Sequence, residues 1–381
     1  MRAAVLRAGM CPVQAVWRAE SRTERNIGKM EQLLQPEAVE ALLRWYETHR
    51  RDLPWRHTKD PYRIWISEIM LQQTRVEAVK PYYTRFLEAF PDVAALAEAP
   101  EQKLMKLWEG LGYYSRARNL QKAAKTVVER YGGEMPADEE ALRGLCGIGD
   151  YTAGAIASIA FGIRAPAVDG NVLRVLSRVC GSYDDIAKQE TKKKWSEALR
   201  SSIPEDAGSF AQAMIEIGAV VCVPNGEAKC GECPLEPYCA AAKQHLTDVL
   251  PVRSAKKPRR VEDLTVLLIR DGVRTALHQR PKKGLLAGLY ELPNLPGHLE
   301  EDTLPEVIRG LGFEPLRIRR IEDSKHIFTH IEWHMIAYTV QIAPEFDGFH
   351  AQSGMLLVEN GDLRAHYAVP SAFSAYTKYL W

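Results

Sequence analysis

The chain has 381 residues, 46% apolar and 26% charged, which excludes wholesale disorder and leaves room for two or three cores of about 100–200 residues each. No run approaches the roughly 18 consecutive apolar residues of a membrane span, so no membrane partner is expected. The net charge of +1 neither advertises nor excludes nucleic acid, because opposite local charges cancel in a total.

Residues 1–29 hold six basic side chains against Glu20 and Glu24 and show no apolar period. Such a start reads as a transit peptide, as an unstructured leader, or as an upstream start with the true one at Met30, and it is set apart from the fold. From Glu37 to about Lys243 the apolar period is helical: Ala38, Leu42, Leu43 and Tyr46, then Ile66, Ile69, Met70 and Gln73, then Leu120, Ala123, Ala124 and Val127. Asp60-Pro61, Gly132-Gly133, residues 147–149 and Ile203-Pro204 punctuate these runs. An all-α domain over 30–250 follows. Residues 251–260 carry five positive charges, no negative ones and two prolines, and read as a basic linker. Beyond it the period changes to two, at 264–269, 275–279, 316–321, 335–342 and 355–358, with a short helix at 301–311. The fold class is therefore multidomain: an all-α body followed by an α+β domain over 261–381.

Charge is evenly held. Residues 30–250 have 27 basic and 31 acidic side chains, and residues 261–381 have 12 and 16. A polyanion would have to meet local clusters such as Lys192–Lys194, the linker, or backbone N–H groups.

Seven cysteines are few for a disulfide scaffold, and four of them fall within 18 residues, which points to a metal in a reducing compartment. Cys222, Cys230, Cys233 and Cys239 are spaced C-x7-C-x2-C-x5-C. Four thiolates in one loop suit either a tetrahedral zinc or a [4Fe–4S] cluster. A zinc ribbon usually builds two distant Cys-x-x-Cys knuckles, and only Cys230 and Cys233 make one here, so the uneven spacing favours the wider cubane. Cys11, Cys146 and Cys180 read as ordinary thiols.

Between two helical runs lies Leu145-Cys146-Gly147-Ile148-Gly149-Asp150. Gly147 and Gly149 allow a tight turn that bares backbone N–H groups at the next helix start, an arrangement that binds phosphate without reading sequence. This hairpin, then Ala165-Pro166-Ala167-Val168-Asp169-Gly170-Asn171-Val172, then the cysteine loop, resembles the helix-hairpin-helix base-excision glycosylases. Within them, Trp65-Ile66-Ser67-Glu68-Ile69-Met70-Leu71-Gln72-Gln73-Thr74, Trp108-Glu109-Gly110-Leu111-Gly112-Tyr113-Tyr114-Ser115 and the extra C-terminal domain look like the MutY-type adenine DNA glycosylases. The resemblance covers about 37–381. It departs once: the family usually has six residues between its first two cluster cysteines, and this chain has seven.

The resemblance implies a monofunctional glycosylase that flips adenine out of A:8-oxoguanine or A:G mispairs in double-stranded DNA and cuts its N-glycosidic bond in base excision repair. A monomer in the cytoplasm, associated with the nucleoid and carrying a [4Fe–4S] cluster, is expected. Two carboxyls in unlike surroundings suit this chemistry. Glu68, in an apolar helix where burial raises its pKa, is expected to be the general acid. Asp169 precedes Gly170-Asn171 and reads as an N-cap aspartate that the helix start keeps ionised; it would face the sugar cation, with Asn171 orienting the reacting groups. Tyr151 stands where the strand-nicking relatives hold a Schiff-base lysine, so base removal without efficient strand cleavage is implied. Gln73 and Tyr113 would wedge the duplex with Leu111 beside them, while Arg56 and Gln212 would read the adenine edge. An endonuclease III-like nicking enzyme and a non-catalytic lesion-binding protein are the alternatives.

In the C-terminal domain, Leu285-Leu286-Ala287-Gly288-Leu289-Tyr290-Glu291-Leu292-Pro293 resembles the strand before the Nudix box, but the box's metal ligands are missing, since no Arg-Glu dipeptide occurs after Arg260. A retained binding face without hydrolase activity is expected. His326-Ile327-Phe328-Thr329-His330 matches the family's lesion loop, with Phe328 inserting beside the oxidised guanine and Thr329 and His330 bonding its edge.

Overall fold

Asp60 and Pro61 start a helix in the computed structural model of the chain: proline fits the first turn, and the Asp60 carboxylate accepts from the Tyr62 N–H at 2.9 Å. Described are residues 33–255, 257–344, 349–350 and 354–380; the leader 1–29, with Cys11, lies outside them. The chain divides into two units, Met1–Gln73 with Thr126–Ala255, and Thr74–Lys125 with Lys256–Trp381.

The first unit is helical. Its helices include Pro36–His49, Pro61–Leu71, Asp150–Phe161, Gly170–Val179, Gln189–Arg200 and Ala207–Val220. One core forms where Leu42 and Tyr46 meet Val172, Leu176, Trp195, Phe210 and Ile217, all at most 2% exposed. Two glycines let helices close in. A Cβ at Gly154 would run into the Pro166 carbonyl, and one at Gly218 would press on Asn171. Those approaches bring Asp150–Phe161 and Ala207–Val220 against the chain on both sides of residue 169.

The second unit joins helices Val76–Ala89, Val93–Glu98 and Glu101–Leu107 to an eight-stranded sheet. Its strands are β1 (Arg260–Arg270), β2 (Arg274–Gln279), β3 (Tyr290–Glu291), β4 (Asn294–Pro296), β5 (Pro315–Ile327), β6 (Ile331–Ile342), β7 (Phe349–His350) and β8 (Met355–Glu359). The order is β5-β6-β1-β2-β8-β7, with β3 on β2 and β4 on β1. β1 pairs in parallel with β6 over its whole length, while β5 pairs with β6 antiparallel. A helix at Leu304–Gly310 falls inside the expected 301–311.

The α-then-α+β reading holds, with two corrections of detail. Residues 264–269 are all buried, not alternating. Leu264, Val266 and Leu268 pack into one core and Leu267 and Ile269 into another on the opposite face, so this central strand is covered on both sides. β1 also begins at Arg260, inside the stretch expected to be linker. No helix among the described residues is long and apolar enough to cross a membrane.

Candidate active site

Helix Pro61–Leu71 is apolar nearly all round, with Ile64, Trp65, Ile66, Ile69 and Met70 at most 3% exposed, so the acid in its middle is held largely away from water. Glu68 is 7% exposed. The small-residue helix Asp150–Phe161 packs against it, and at its start the Tyr151 hydroxyl donates to Glu68 Oε2 at 2.6 Å. One residue on, Thr152 Oγ1 accepts from Gln72 Nε2 at 3.3 Å. Burial raises the Glu68 pKa to about 7; the Tyr151 hydrogen bond and the Arg56 charge pull it down, and the Asp169 charge pushes it up. The same burial and the two neighbouring carboxyls hold the Tyr151 phenol far above 10, so it stays protonated.

Asp169 caps helix Gly170–Val179. Its Oδ1 accepts from the N–H groups of Asn171 and Val172 at 2.8 Å each, and its Oδ2 from Asn171 Nδ2 at 2.8 Å. Burial raises its pKa, against those three donors and Arg174, which favour the anion. The expected cap donors are in place, and burial still sets the net direction of the shift. Both oxygens receive N–H donors, unlike Glu68, whose bond is to a hydroxyl.

Behind Asn171 lies a charge that sequence reasoning missed. Arg174 Nη2 donates to Asn171 Oδ1 at 2.9 Å and to the Gly218 carbonyl at 2.6 Å, and its Nε donates to the Cys222 carbonyl at 2.7 Å. Glu216 was also missed. Fully buried, it binds Arg51 Nη2 and Arg56 Nη2 at 2.7 Å each. Burial pushes Glu216 up, yet the two guanidiniums outweigh it and hold the pKa at about 2. Arg174 and Arg178 repeat at helical spacing in an apolar run, and Glu216 is the lone charge in 211–221; those were the available signals.

The expected DNA-reading residues fare unevenly. Arg56 is committed to Glu216 and to the Arg51 carbonyl at 2.9 Å. Gln212 turns its Nε2 back to the Gly208 carbonyl at 3.4 Å, in its own helix. Gln73 is exposed with φ +59°, a strained backbone for a side-chain-bearing residue. In the hairpin only Gly147 needs its glycine conformation (φ +81°); Gly149 (φ −97°) is the N-cap, with open space where a Cβ would be. Leu145 and Ile148 anchor this turn inward while 146, 147 and 149 face solvent.

In the second unit, Tyr113 is 47% exposed with φ +48°, whereas Leu111 turns inward at 6% and is not presented beside it. Tyr113 Oη and Thr329 Oγ1 share a hydrogen bond of 2.8 Å. Phe328 sits in the β5–β6 turn with its ring edge-on to His326 and Trp333, at 4.6 and 4.8 Å between centroids. Its ring is thus packed against the sheet core, while Thr329 and His330 are exposed.

The four cysteines 222, 230, 233 and 239 are free thiols lining one cavity of ≈ 20 Å³ with Val175, Arg178, Ile217 and Leu235. Arg178 Nη1 donates to Cys222 Sγ at 3.2 Å. The seven-residue spacing is absorbed by an exposed turn at Gly226 (φ +78°), after which the Lys229 N–H returns to the Val221 carbonyl at 3.1 Å.

Comparison with known proteins gives the family. Residues 66–201 match the HhH-GPD superfamily of base excision DNA repair proteins, and residues 265–379 match the NUDIX domain. Adenine DNA glycosylase from Homo sapiens is 35% identical over 77% of this chain, which spans 64% of that relative's length. The one from Buchnera aphidicola subsp. Schizaphis graminum (strain Sg) is 32% identical over 79% of this chain and 87% of its own. A solved thermostable thymine-DNA glycosylase is 31% identical with a TM-score of 0.50, covering 54% of this chain and 95% of its own. With helical and Nudix-like parts in the same order and identity sustained across both, the chain belongs to the family of adenine DNA glycosylases.

Proposed function

We propose that the protein is a monofunctional DNA glycosylase that removes adenine opposite 8-oxoguanine or guanine in double-stranded DNA. The observation that carries this reading is the Tyr151–Glu68 hydrogen bond of 2.6 Å beside a capped Asp169: one carboxyl near its pKa, one facing N–H donors, and no amine at residue 151. The flipped base receives the Glu68 proton as the N-glycosidic bond breaks, its electron pair leaving with adenine. Asp169 opposes the positive charge left on the sugar, and Asn171, held by Arg174, keeps that carboxylate aimed. Water then adds to the sugar carbon, its proton returning to a carboxylate, and an abasic site remains. The exposed turn at Gly147 would grip backbone phosphate, and Gln73 and Tyr113 would fill the vacated stack.

Four soft sulfur donors on one cavity, beside the Arg178 guanidinium, fit a thiolate-held [4Fe–4S] cluster at Cys222, Cys230, Cys233 and Cys239. Such a cluster would fix the cysteine loop, from which the Cys222 carbonyl holds Arg174. A monomer in the cytoplasm, working on the nucleoid, completes the proposal.

Single-turnover adenine release from duplexes that differ only in the opposite base tests it. Wild type should yield abasic sites from A:8-oxoguanine fastest, with strand breaks only after alkali, and Glu68→Gln should abolish release. Efficient borohydride trapping of the wild-type enzyme on DNA would overturn the monofunctional reading. Tyr151→Lys, which restores an amine beside the site, should gain that trapping.

A further inference from the structure

The loop 108–114 carries its own internal fastenings. Gly110 (φ +96°), Gly112 (φ +69°) and Tyr113 (φ +48°) all take left-handed backbone. Trp108 Nε1 donates to the Gly112 carbonyl at 3.1 Å, and Arg116 Nη2 donates to the carbonyls of Leu111 and Gly112 at 3.0 and 3.1 Å. The Arg116 guanidinium also lies over the rings of Trp108 and Tyr113. These contacts shape the loop without aiming it.

Two sets of links run from the loop to the sheet-bearing part of the same unit. At the tip is the Tyr113–Thr329 hydrogen bond, between two exposed hydroxyls. At the base, Glu109 Oε1 accepts from the Val369 N–H at 2.7 Å. Its other oxygen pairs with Lys106 Nζ at 2.6 Å, and Lys106 Nζ donates to the Tyr367 carbonyl at 2.9 Å. The two side chains are only 30% and 23% exposed, so these charge-assisted bonds are partly shielded from water, whereas the hydroxyl pair at the tip competes with it directly.

We propose that Glu109 is a specificity-determining positioning residue, fastening the Tyr113 loop to Val369 and, through Lys106, to Tyr367, so that Tyr113 and Thr329 meet the base opposite the target adenine as one preset pair. The inference rests on the proposed readings of Tyr113 as a wedge in the duplex, next to the opposite base, and of Thr329 as a contact to that base's edge. Glu109 touches no catalytic group; its effect falls on orientation, which governs how much of the contact with the opposite base survives into the reacting complex.

Full-length protein is assayed by single-turnover adenine release from A:8-oxoguanine and A:G duplexes. Glu109→Ala should lower the ratio of the two rates three- to tenfold, almost entirely through A:8-oxoguanine, with the A:G rate changed less than twofold. Thr329→Val should lower the same ratio, and adding it to Glu109→Ala should lower it no further, because each breaks the same preset pair. Glu109→Gln keeps a carbonyl acceptor for the Val369 N–H and should retain at least half the ratio, which also covers the case of an unfolded alanine variant. Amide exchange in the free protein gives a readout independent of activity: Glu109→Ala should speed exchange at Val369 at least tenfold. Equal loss on both duplexes, an unchanged ratio, multiplicative effects of the two substitutions, or unaltered exchange at Val369 each overturn the proposal. Failure of the underlying reading looks different: wild type itself would show no preference between the duplexes.

Discussion

A carboxyl group with a pKa near 7 is a mixture of acid and anion at neutral pH, and Glu68 reaches that point because burial outweighs a hydroxyl donor and a guanidinium. Adenine release should therefore fall about tenfold per pH unit above roughly 7. Tyr151→Phe removes a donor that favours the Glu68 anion, so the descending limb should move to higher pH; a pH–rate profile under single turnover reads it directly. The same shift costs stability. With a folded pKa of about 7 against 4.5 when unfolded, the stabilising difference is complete below pH 4.5 and lost as pH rises through 7, up to about 3 kcal/mol. Glu68→Gln should thus raise the melting temperature at pH 8 far more than at pH 4. Glu216 runs the other way: held at about 2, its contribution is present above 4.5 and lost as pH falls through 2. Glu216→Gln strands the buried Arg56 and should destabilise by about 3 kcal/mol in urea titration at neutral pH. It should also lower the Glu68 pKa, since Arg56 would act on Glu68 unneutralised. The Glu68 environment was legible because Ile66, Ile69 and Met70 surround it in sequence. Glu216 has the same local signature, but its meaning depends on Arg51 and Arg56, some 160 positions away, which no local pattern reveals.

Elements bring those residues together through smallness rather than through bulk. Helix Asp150–Phe161 carries Gly154 where the Pro166 carbonyl approaches, and that contact fixes the path of the chain three residues before Asp169. Gly154→Ala should push the 166–167 backbone away and displace the capping carboxylate. Adenine release should drop by about 10- to 100-fold while stability falls by about 1–3 kcal/mol, the usual cost of overpacking. A melting curve alongside the rate separates the two, and a rate loss without displaced stability would point to Asp169 geometry alone. Helix and turn boundaries near this site were readable, since Asp60-Pro61 and Asp169-Gly170 announce caps in sequence. The sheet was less so. An alternating pattern was expected at 264–269, but parallel pairing with β6 and a core on each face bury every residue there, and such a run looks locally like any apolar stretch.

At the scale of the whole molecule, chain order and spatial order part company. Residues Thr74–Lys125 cluster with Lys256–Trp381, so one unit is assembled from two stretches separated by the segment that carries Tyr151, Asp169 and the cysteine loop. Sequence reading recognised the composition change near 251–260 but had no means of seeing that helix Glu101–Leu107 pairs with a strand-rich region some 260 residues later. The links that make it so are single residues: Lys106 to the Tyr367 carbonyl, Glu109 to the Val369 N–H, Tyr113 to Thr329. A protein truncated after Ala255 would therefore leave charged side chains and apolar surface of 101–118 without their partners. Hydrogen exchange in 101–118 should accelerate at least tenfold on truncation, while exchange in Pro36–His49 and Ala207–Val220, whose core partners all lie in the first unit, should stay within a factor of a few. Catalysis should divide in the same way. Glu68, Tyr151, Asp169, Asn171 and Glu216 remain intact, so adenine release from A:G should persist, whereas the advantage of A:8-oxoguanine, which the proposed Tyr113–Thr329 pair supplies, should vanish. Uniform loss of protection across both units on truncation would show instead that the two fold as a single cooperative body.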